Sequence, residues 1–159
     1  MFRNNFMKRW RWPLLVLLAL AGPGLVTAGE NGRGLVLVAD AGAPSMAPLT
    51  AAETRRLYLG MPVTRDGRRL EPLLNLADER LYDVFLQKVM FMSASAYQRQ
   101  LTQRFLHGRG LRPAVYRDRA ALFAALAANP EAVTYVMWRD EAERHADLQV
   151  VAVLWDGDS

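Results

Sequence analysis

Apolar and polar positions change period several times along this chain, and each change marks an element. Leu35 to Ala39 (LVLVA) is a continuous apolar run rich in β-branched residues, which predicts a strand buried on both faces. Asp40 to Pro48 (DAGAPSMAP) has the Gly and Pro content of a loop. Thr50 and Glu53 form a T-x-x-E capping box, so a helix starts there and runs to Gly60, a natural C-terminal cap, with Pro62 barring continuation. Arg65 to Arg69 (RDGRR) holds an Asp-Gly turn, and Leu70 to Leu76 (LEPLLNL) reads as a strand whose Pro72 marks an edge or an irregular start.

From Asp78 the period becomes helical, with Leu81, Val84, Phe85, Lys88 and Val89 on one stripe and Asp83 and Gln87 turned away. Ser93 caps a further helix, Ala94 to Leu106, which carries Tyr97, Leu101 and Phe105 at i, i+4 and i+8. His107 to Pro113 (HGRGLRP) is a loop. Asp118 to Ala128 is an alanine-rich helix stopped by Asn129-Pro130. Val133 to Met137 (VTYVM) and Leu148 to Trp155 (LQVVAVLW) are two more strand-like runs, separated by the charged segment Arg139 to Asp147. Strands alternating with helices predict an α/β fold: a small, mostly parallel sheet of four strands flanked by about as many helices. No internal repeat, low-complexity tract or second domain is visible.

The amino terminus belongs to a different class of segment. Arg3, Lys8, Arg9 and Arg11 precede the short apolar block Leu14 to Ala21, Pro23-Gly24 breaks it, and Val26-Thr27-Ala28 supplies small residues. This is the three-part pattern of a secretory signal peptide over residues 1–28, with cleavage expected after Ala28 and a periplasmic location. Retention as an uncleaved anchor is the alternative, although a span needs about 20 apolar residues and the Pro-Gly pair interrupts this one. Once cleaved, the protein would not be an integral membrane protein.

Removing that segment changes the charge. The chain has 20 basic and 16 acidic residues, and residues 1–28 hold four basic and no acidic ones; the remaining 131 residues (159 minus 28) therefore carry 16 of each. A nucleic-acid partner argued from overall basicity is excluded. The mature length suits one domain, 29–159, with its own core. Without cysteine the chain has no disulfide, thiolate nucleophile or thiolate metal site.

The order of the elements resembles a known family. The pieces are LTAAETRRLYLGM, the turn-strand DGRRLEPLLNL, the F-L-Q-K-V helix, the FLHGRGLRP loop and the N-P-x-A-x-x-Y-V ending from Asn129 to Val136. Together, over roughly Leu35 to Leu154, they resemble the small exported relatives of the phosphate-binding protein of ABC-type phosphate importers. The resemblance implies one lobe, about half, of a type II periplasmic binding protein, and a non-enzymatic, solute-binding role. In the larger family phosphate lies in a cleft between two lobes. At the helix start after the second strand that family has an arginine followed by Ser-Gly-Thr. Here the same place reads NLADERLYDVF, and Asp78 and Glu79 would repel a phosphate dianion.

Candidate site residues follow from both readings. Asp78 and Glu79 are either a helix cap or a site for a cationic partner group; Arg80 partly offsets their charge. Asn75 is a turn former or points its amide to the same mouth. The HGRGLRP loop is the better anion candidate: Arg109 lies between two glycines, and His107 and Arg112 add donors, unless the loop is only a connector. Ser45 in the first loop is a further contributor. His107 and His145 are the only histidines and have no zinc-like spacing with carboxylates, so no metal and no cofactor is expected. Ser45, Ser93 and Ser95 lack the context of an activated nucleophile. Two roles are consistent with these residues. One is binding of phosphate or a related small anion, completed by a partner or second copy. The other is a periplasmic interaction module of a membrane transporter or sensor that has lost the ligand.

Overall fold

The computed structural model describes residues 34–108, 110–138 and 146–157. The LVLVA run forms β1 (Leu35–Asp40), buried along its length as its unbroken apolar pattern requires. Helix α1 (Ala51–Tyr58) follows, and both halves of its capping box form: the Glu53 amide donates to the Thr50 hydroxyl at 3.2 Å, and the Thr50 amide to the Glu53 carboxylate at 2.9 Å. The bond from the Thr50 amide, with that from its hydroxyl and the nearby Arg65 guanidinium, holds the Glu53 carboxyl below its ordinary pKa. The Asp66-Gly67 turn has positive φ at both residues, as a two-residue hairpin turn needs, and joins β2 (Thr64–Arg65) to β3 (Arg68–Arg69).

Strand β4 (Glu71–Asn75) leads into α2 (Glu79–Phe85), which continues as a π-helical turn, Leu86–Met90. Helix α3 (Ala94–Leu106) has the expected Ser93 cap. Strand β5 (Ala114–Tyr116), helix α4 (Arg119–Ala128), β6 (Ala132–Met137) and β7 (Leu148–Trp155) complete the order.

The main sheet has five strands in the order β5-β4-β6-β1-β7, one more than the apolar runs predict. The extra strand is β5, only three residues long and too short for a periodicity signal. Strand β4 is parallel to β5 and β6, while β1 is antiparallel to both β6 and β7. Four of the five strands thus share a direction and β1 alone opposes them, so the sheet is mixed. Strand β4 is internal, between β5 and β6, but Pro72 pairs only with Val133 of β6 because pairing with β5 begins at Leu73, so it marks the irregular start rather than an edge strand.

Alternation along β1 and β6 sends side chains to two cores. Leu35, Leu37, Val133 and Tyr135 face the layer that includes α1, α2, the π-turn and α3; Val36, Val38, Ala132 and Val136 face Leu122 and Leu126 of α4. Of the predicted α2 stripe, Leu81, Phe85 and Val89 are buried, and the wider π-turn adds Leu86 and Met90. Phe105 departs from its predicted stripe: Tyr97 and Leu101 are buried, but Phe105, one turn later, is 54% exposed beyond the edge of the core.

Tyr58, Phe85 and Tyr135 are packed at the centre of the larger core, with the Phe85 and Tyr135 rings stacked at 3.9 Å and Tyr58 edge-on to Phe85 at 4.8 Å. Hydroxyls from this region join the backbone ladder. β4 and β6 pair at Glu71–Ala132 and Pro72–Val133. Beyond these pairs the Thr134 hydroxyl donates to the Leu73 carbonyl at 3.0 Å, and that of Tyr135 to the Asn75 carbonyl at 2.7 Å. Side chains therefore satisfy carbonyls that a regular ladder would otherwise satisfy.

Candidate functional site

Strands β4, β5 and β6 run in one direction, and their carboxyl ends are where crevices open in sheets of this kind. The connection from β4 to β5 (α2, the π-turn and α3) covers one face, while that from β5 to β6 (α4) covers the other. A cleft of about 510 Å³ opens at this end, lined by Asn75, Ala77 to Leu81, Arg119, Phe123 and Met137.

The β4 exit is fixed by Asn75, which is 6% exposed. Its Oδ1 accepts from the Ala77 amide at 3.1 Å and its Nδ2 donates to the Tyr135 carbonyl at 3.3 Å. Asn75 is thus a turn former whose amide is tied into the fold at the cleft floor. Asp78 caps α2: one carboxylate oxygen accepts from the amides of Arg80 at 2.9 Å and Leu81 at 3.2 Å. These are two of the four N–H groups that a helix start offers an incoming anion, and an internal carboxylate already holds them. Glu79 and Arg80 are exposed, and their side chains have no hydrogen-bond or ion-pair partner among the described residues. On the α4 side, Asp118 caps the helix through the Ala121 amide at 2.8 Å, and the Arg119 guanidinium lies 5.7 Å from the Phe123 ring centre.

The other candidates lie elsewhere. The HGRGLRP loop precedes β5 and so meets the sheet at the opposite, amino end of the parallel strands. Gly60, with φ +77, anchors it: the Leu111 amide donates to the Gly60 carbonyl at 3.1 Å, and a Cβ on Gly60 would fall 2.2 Å from the Leu111 oxygen. Arg112 donates to the Thr102 hydroxyl at 2.9 Å and lies 5.5 Å from the Phe105 ring centre. It also lines a cavity of about 320 Å³ with Leu57, Met61, Arg69, Glu71 and Glu131. His107 is the exposed C-cap of α3, its Nδ1 2.6 Å from the Gln103 carbonyl. Arg109 and His145 lie outside the described residues. Ser45 is exposed on the β1–α1 loop, which leaves the sheet at the end opposite the cleft because β1 is antiparallel to β6. The arginines of the β2–β3 hairpin hold that loop: Arg65 donates to the Pro48 carbonyl and Arg68 to the Pro44 carbonyl, each at 3.3 Å.

Of the candidates, the structure brings Asn75 and Arg80 together in one cleft with Asp78 and Glu79. Arg119, Phe123 and Met137 join them, and sequence reasoning misses all three. For Arg119 and Phe123 the start of a helix after a strand is the only local signal, and the three-residue β5 conceals it; Met137 ends a strand that is legible, but nothing local places it at the cleft. No group of three or more His, Cys, Asp or Glu able to hold a metal ion is present among the described residues. No helix among them is long and apolar enough to cross a membrane.

No family model and no curated protein matches this chain. Among solved structures, the fold matches an ABC-type phosphate transport receptor from Vibrio cholerae with a TM-score of 0.52 at 12% sequence identity. The match covers 75% of this chain and 45% of the receptor, so the chain spans less than half the receptor's length. The likeness is one of fold: an α/β unit with a mixed sheet, equivalent to part of a phosphate receptor.

Proposed function

We propose that this protein is an exported, non-enzymatic accessory module of a membrane transport or sensor complex, built on part of a solute-receptor fold and without a phosphate seat of its own. The observation that carries this reading is the Asp78 carboxylate on the Arg80 and Leu81 amides. A phosphate arriving there would have to displace a covalently tethered anion and would meet Glu79 beside it. The signal-peptide pattern of residues 1–28 supports export, and the fold likeness supports a place alongside a transport system. Calorimetry of the mature chain with phosphate and sulfate tests it: the reading predicts no heat of binding at millimolar ligand, and a saturable phosphate isotherm would refute it.

A second reading keeps phosphate or a related small anion as ligand. Arg80 and Arg119 in the cleft wall favour it. The chain would then supply one wall, and a partner protein or a second copy would supply the other. It predicts phosphate binding only by the assembled complex.

A further inference from the structure

Charge is distributed unevenly along this chain. Residues 84–117 hold no aspartate or glutamate, yet they carry six of the sixteen basic residues that follow residue 28: Lys88, Arg99, Arg104, Arg109, Arg112 and Arg117. That span contains α3 and the loop that leads from it to β5. In the rest of the chain after residue 28, sixteen acidic residues face the remaining ten basic ones. A balanced formal charge therefore conceals one basic region.

The same region exposes large apolar side chains. The buried stripe of α3 ends at Leu101, and Phe105 and Leu106 in the last turn are 54% and 75% exposed. Gly108, with φ +62, reverses the chain, its amide donating to the Phe105 carbonyl at 3.0 Å. Gly110 then passes close to the helix: a Cβ on it would lie 3.3 Å from the Arg104 Cβ. Leu111, 62% exposed, and Arg112, 5.5 Å from the Phe105 ring centre, are thereby brought back to the end of α3. Arg99, two turns before Leu106, lies on the same helical face. Arg99 and Arg104 have no hydrogen-bond or ion-pair partner among the described residues. Glu71 and Glu131 share the neighbouring cavity with Arg112, and Arg69 there completes the balance of charge. A single exposed leucine requires no explanation, but three large apolar side chains at one tip, set among arginines, mark an interaction surface.

We propose that this tip docks onto an anionic phospholipid surface: Phe105, Leu106 and Leu111 enter the interface, and Arg99, Arg104 and Arg112 engage lipid phosphates. An acidic protein surface would match the arginines. Side chains that protrude as far as these need apolar depth as well, and a leaflet offers that depth directly beneath its phosphates. Arginine suits this boundary, since its stem lies along the apolar layer while its guanidinium takes phosphate oxygens. The attachment is peripheral, because no helix among the described residues is long and apolar enough to cross a membrane. The inference goes beyond the accessory role and does not rest on it.

The test is co-sedimentation with lipid vesicles of the chain from residue 29 onward, which keeps every described residue and omits the apolar block of the amino terminus. One set of vesicles is an equal mixture of phosphatidylglycerol and phosphatidylcholine, and the other is phosphatidylcholine alone. The proposal predicts partitioning into the mixed vesicles that is stronger by about tenfold or more and that salt weakens. A Phe105→Ser, Leu106→Ser double variant should bind the mixed vesicles about tenfold or more weakly, and Arg99→Gln and Arg104→Gln about fivefold more weakly each. Phe91→Ser replaces a ring that is 71% exposed at the other end of α3, about 20 Å away, and should leave binding unchanged. Circular dichroism establishes that the variants fold. The proposal is overturned by no binding to the mixed vesicles, by equal binding to both kinds, or by unaltered binding of the Phe105 and Leu106 variant. None of these outcomes bears on phosphate, so the accessory reading stands or falls on its own calorimetry.

Discussion

The phenolic hydroxyl of Tyr135 donates to the Asn75 carbonyl at 2.7 Å, and the Asn75 side-chain amide donates back to the Tyr135 carbonyl at 3.3 Å. This reciprocal pair joins β4 to β6 beyond their paired residues and sets the floor of the cleft. Removing the hydroxyl would leave a buried carbonyl without that donor. Tyr135→Phe, which keeps the ring, should therefore destabilise the fold by about 1–3 kcal/mol in urea unfolding. A variant as stable as the parent would mean that the hydroxyl bond is dispensable.

Gly60 serves two purposes, ending α1 and receiving the Leu111 amide. Its φ of +77 alone makes any side chain cost about 1–2 kcal/mol, and the Leu111 oxygen, 2.2 Å from where a Cβ would sit, adds a required backbone shift. Gly60→Ala should lower stability by more than that strain alone, with the loop from Gly108 to Pro113 losing amide-exchange protection first.

Phe91 presents the reverse case. It follows the π-turn with φ 55 and ψ 42, in the left-handed region, and is 71% exposed, with the Arg55 guanidinium 5.4 Å from its ring centre. A bulky residue bears the left-handed strain there and gains little burial. Phe91→Gly should be neutral or stabilising by up to about 1 kcal/mol in the same denaturation experiment, a sign opposite to that for Gly60→Ala. A loss of several kcal/mol would mean that the ring packs in a way its exposure does not indicate.

These features differ in how far the sequence exposes them. The caps at Thr50, Asp78 and Ser93 and the turn at Asp66-Gly67 are legible because each depends on three or four adjacent residues, whereas Asp118, read as the first residue of its helix, is its cap. The reversed direction of β1 is not, because pairing with β6 and β7 joins residues about a hundred positions apart. β5 is too short for a pattern, and without it Arg119 and Phe123 have no place in a site although their helix is clear. Phe105 has the correct spacing for burial, but periodicity does not say where the covering layer ends. Asn75 and Arg80 are legible as residues of one mouth, whereas the separation of His107, Arg112 and Ser45 from it requires strand order.

The buried tyrosines give the protein a defined alkaline limit. Burial, with lesser contributions from neighbouring phenols, raises the Tyr58, Tyr97 and Tyr135 hydroxyls above the ordinary value of 10.0. The folded state then retains protons that the unfolded chain releases, so their contribution to stability is constant below about pH 10 and falls as pH rises beyond it. Phenolate absorbance should show these tyrosines ionising together with the loss of circular dichroism. Ionisation near pH 10 with the fold intact would contradict their burial.

The most direct test compares phosphate titrations of the wild-type chain from residue 29 onward and its Asp78→Ser, Glu79→Gly double variant by calorimetry. The internal carboxylate occupies the Arg80 and Leu81 amides of α2, and the double change removes both negative charges beside them while leaving a hydroxyl that can itself donate to phosphate. The account predicts no saturable heat from the wild type and measurable phosphate affinity in the variant. Tight phosphate binding by the wild type, weakened in the variant, would contradict it.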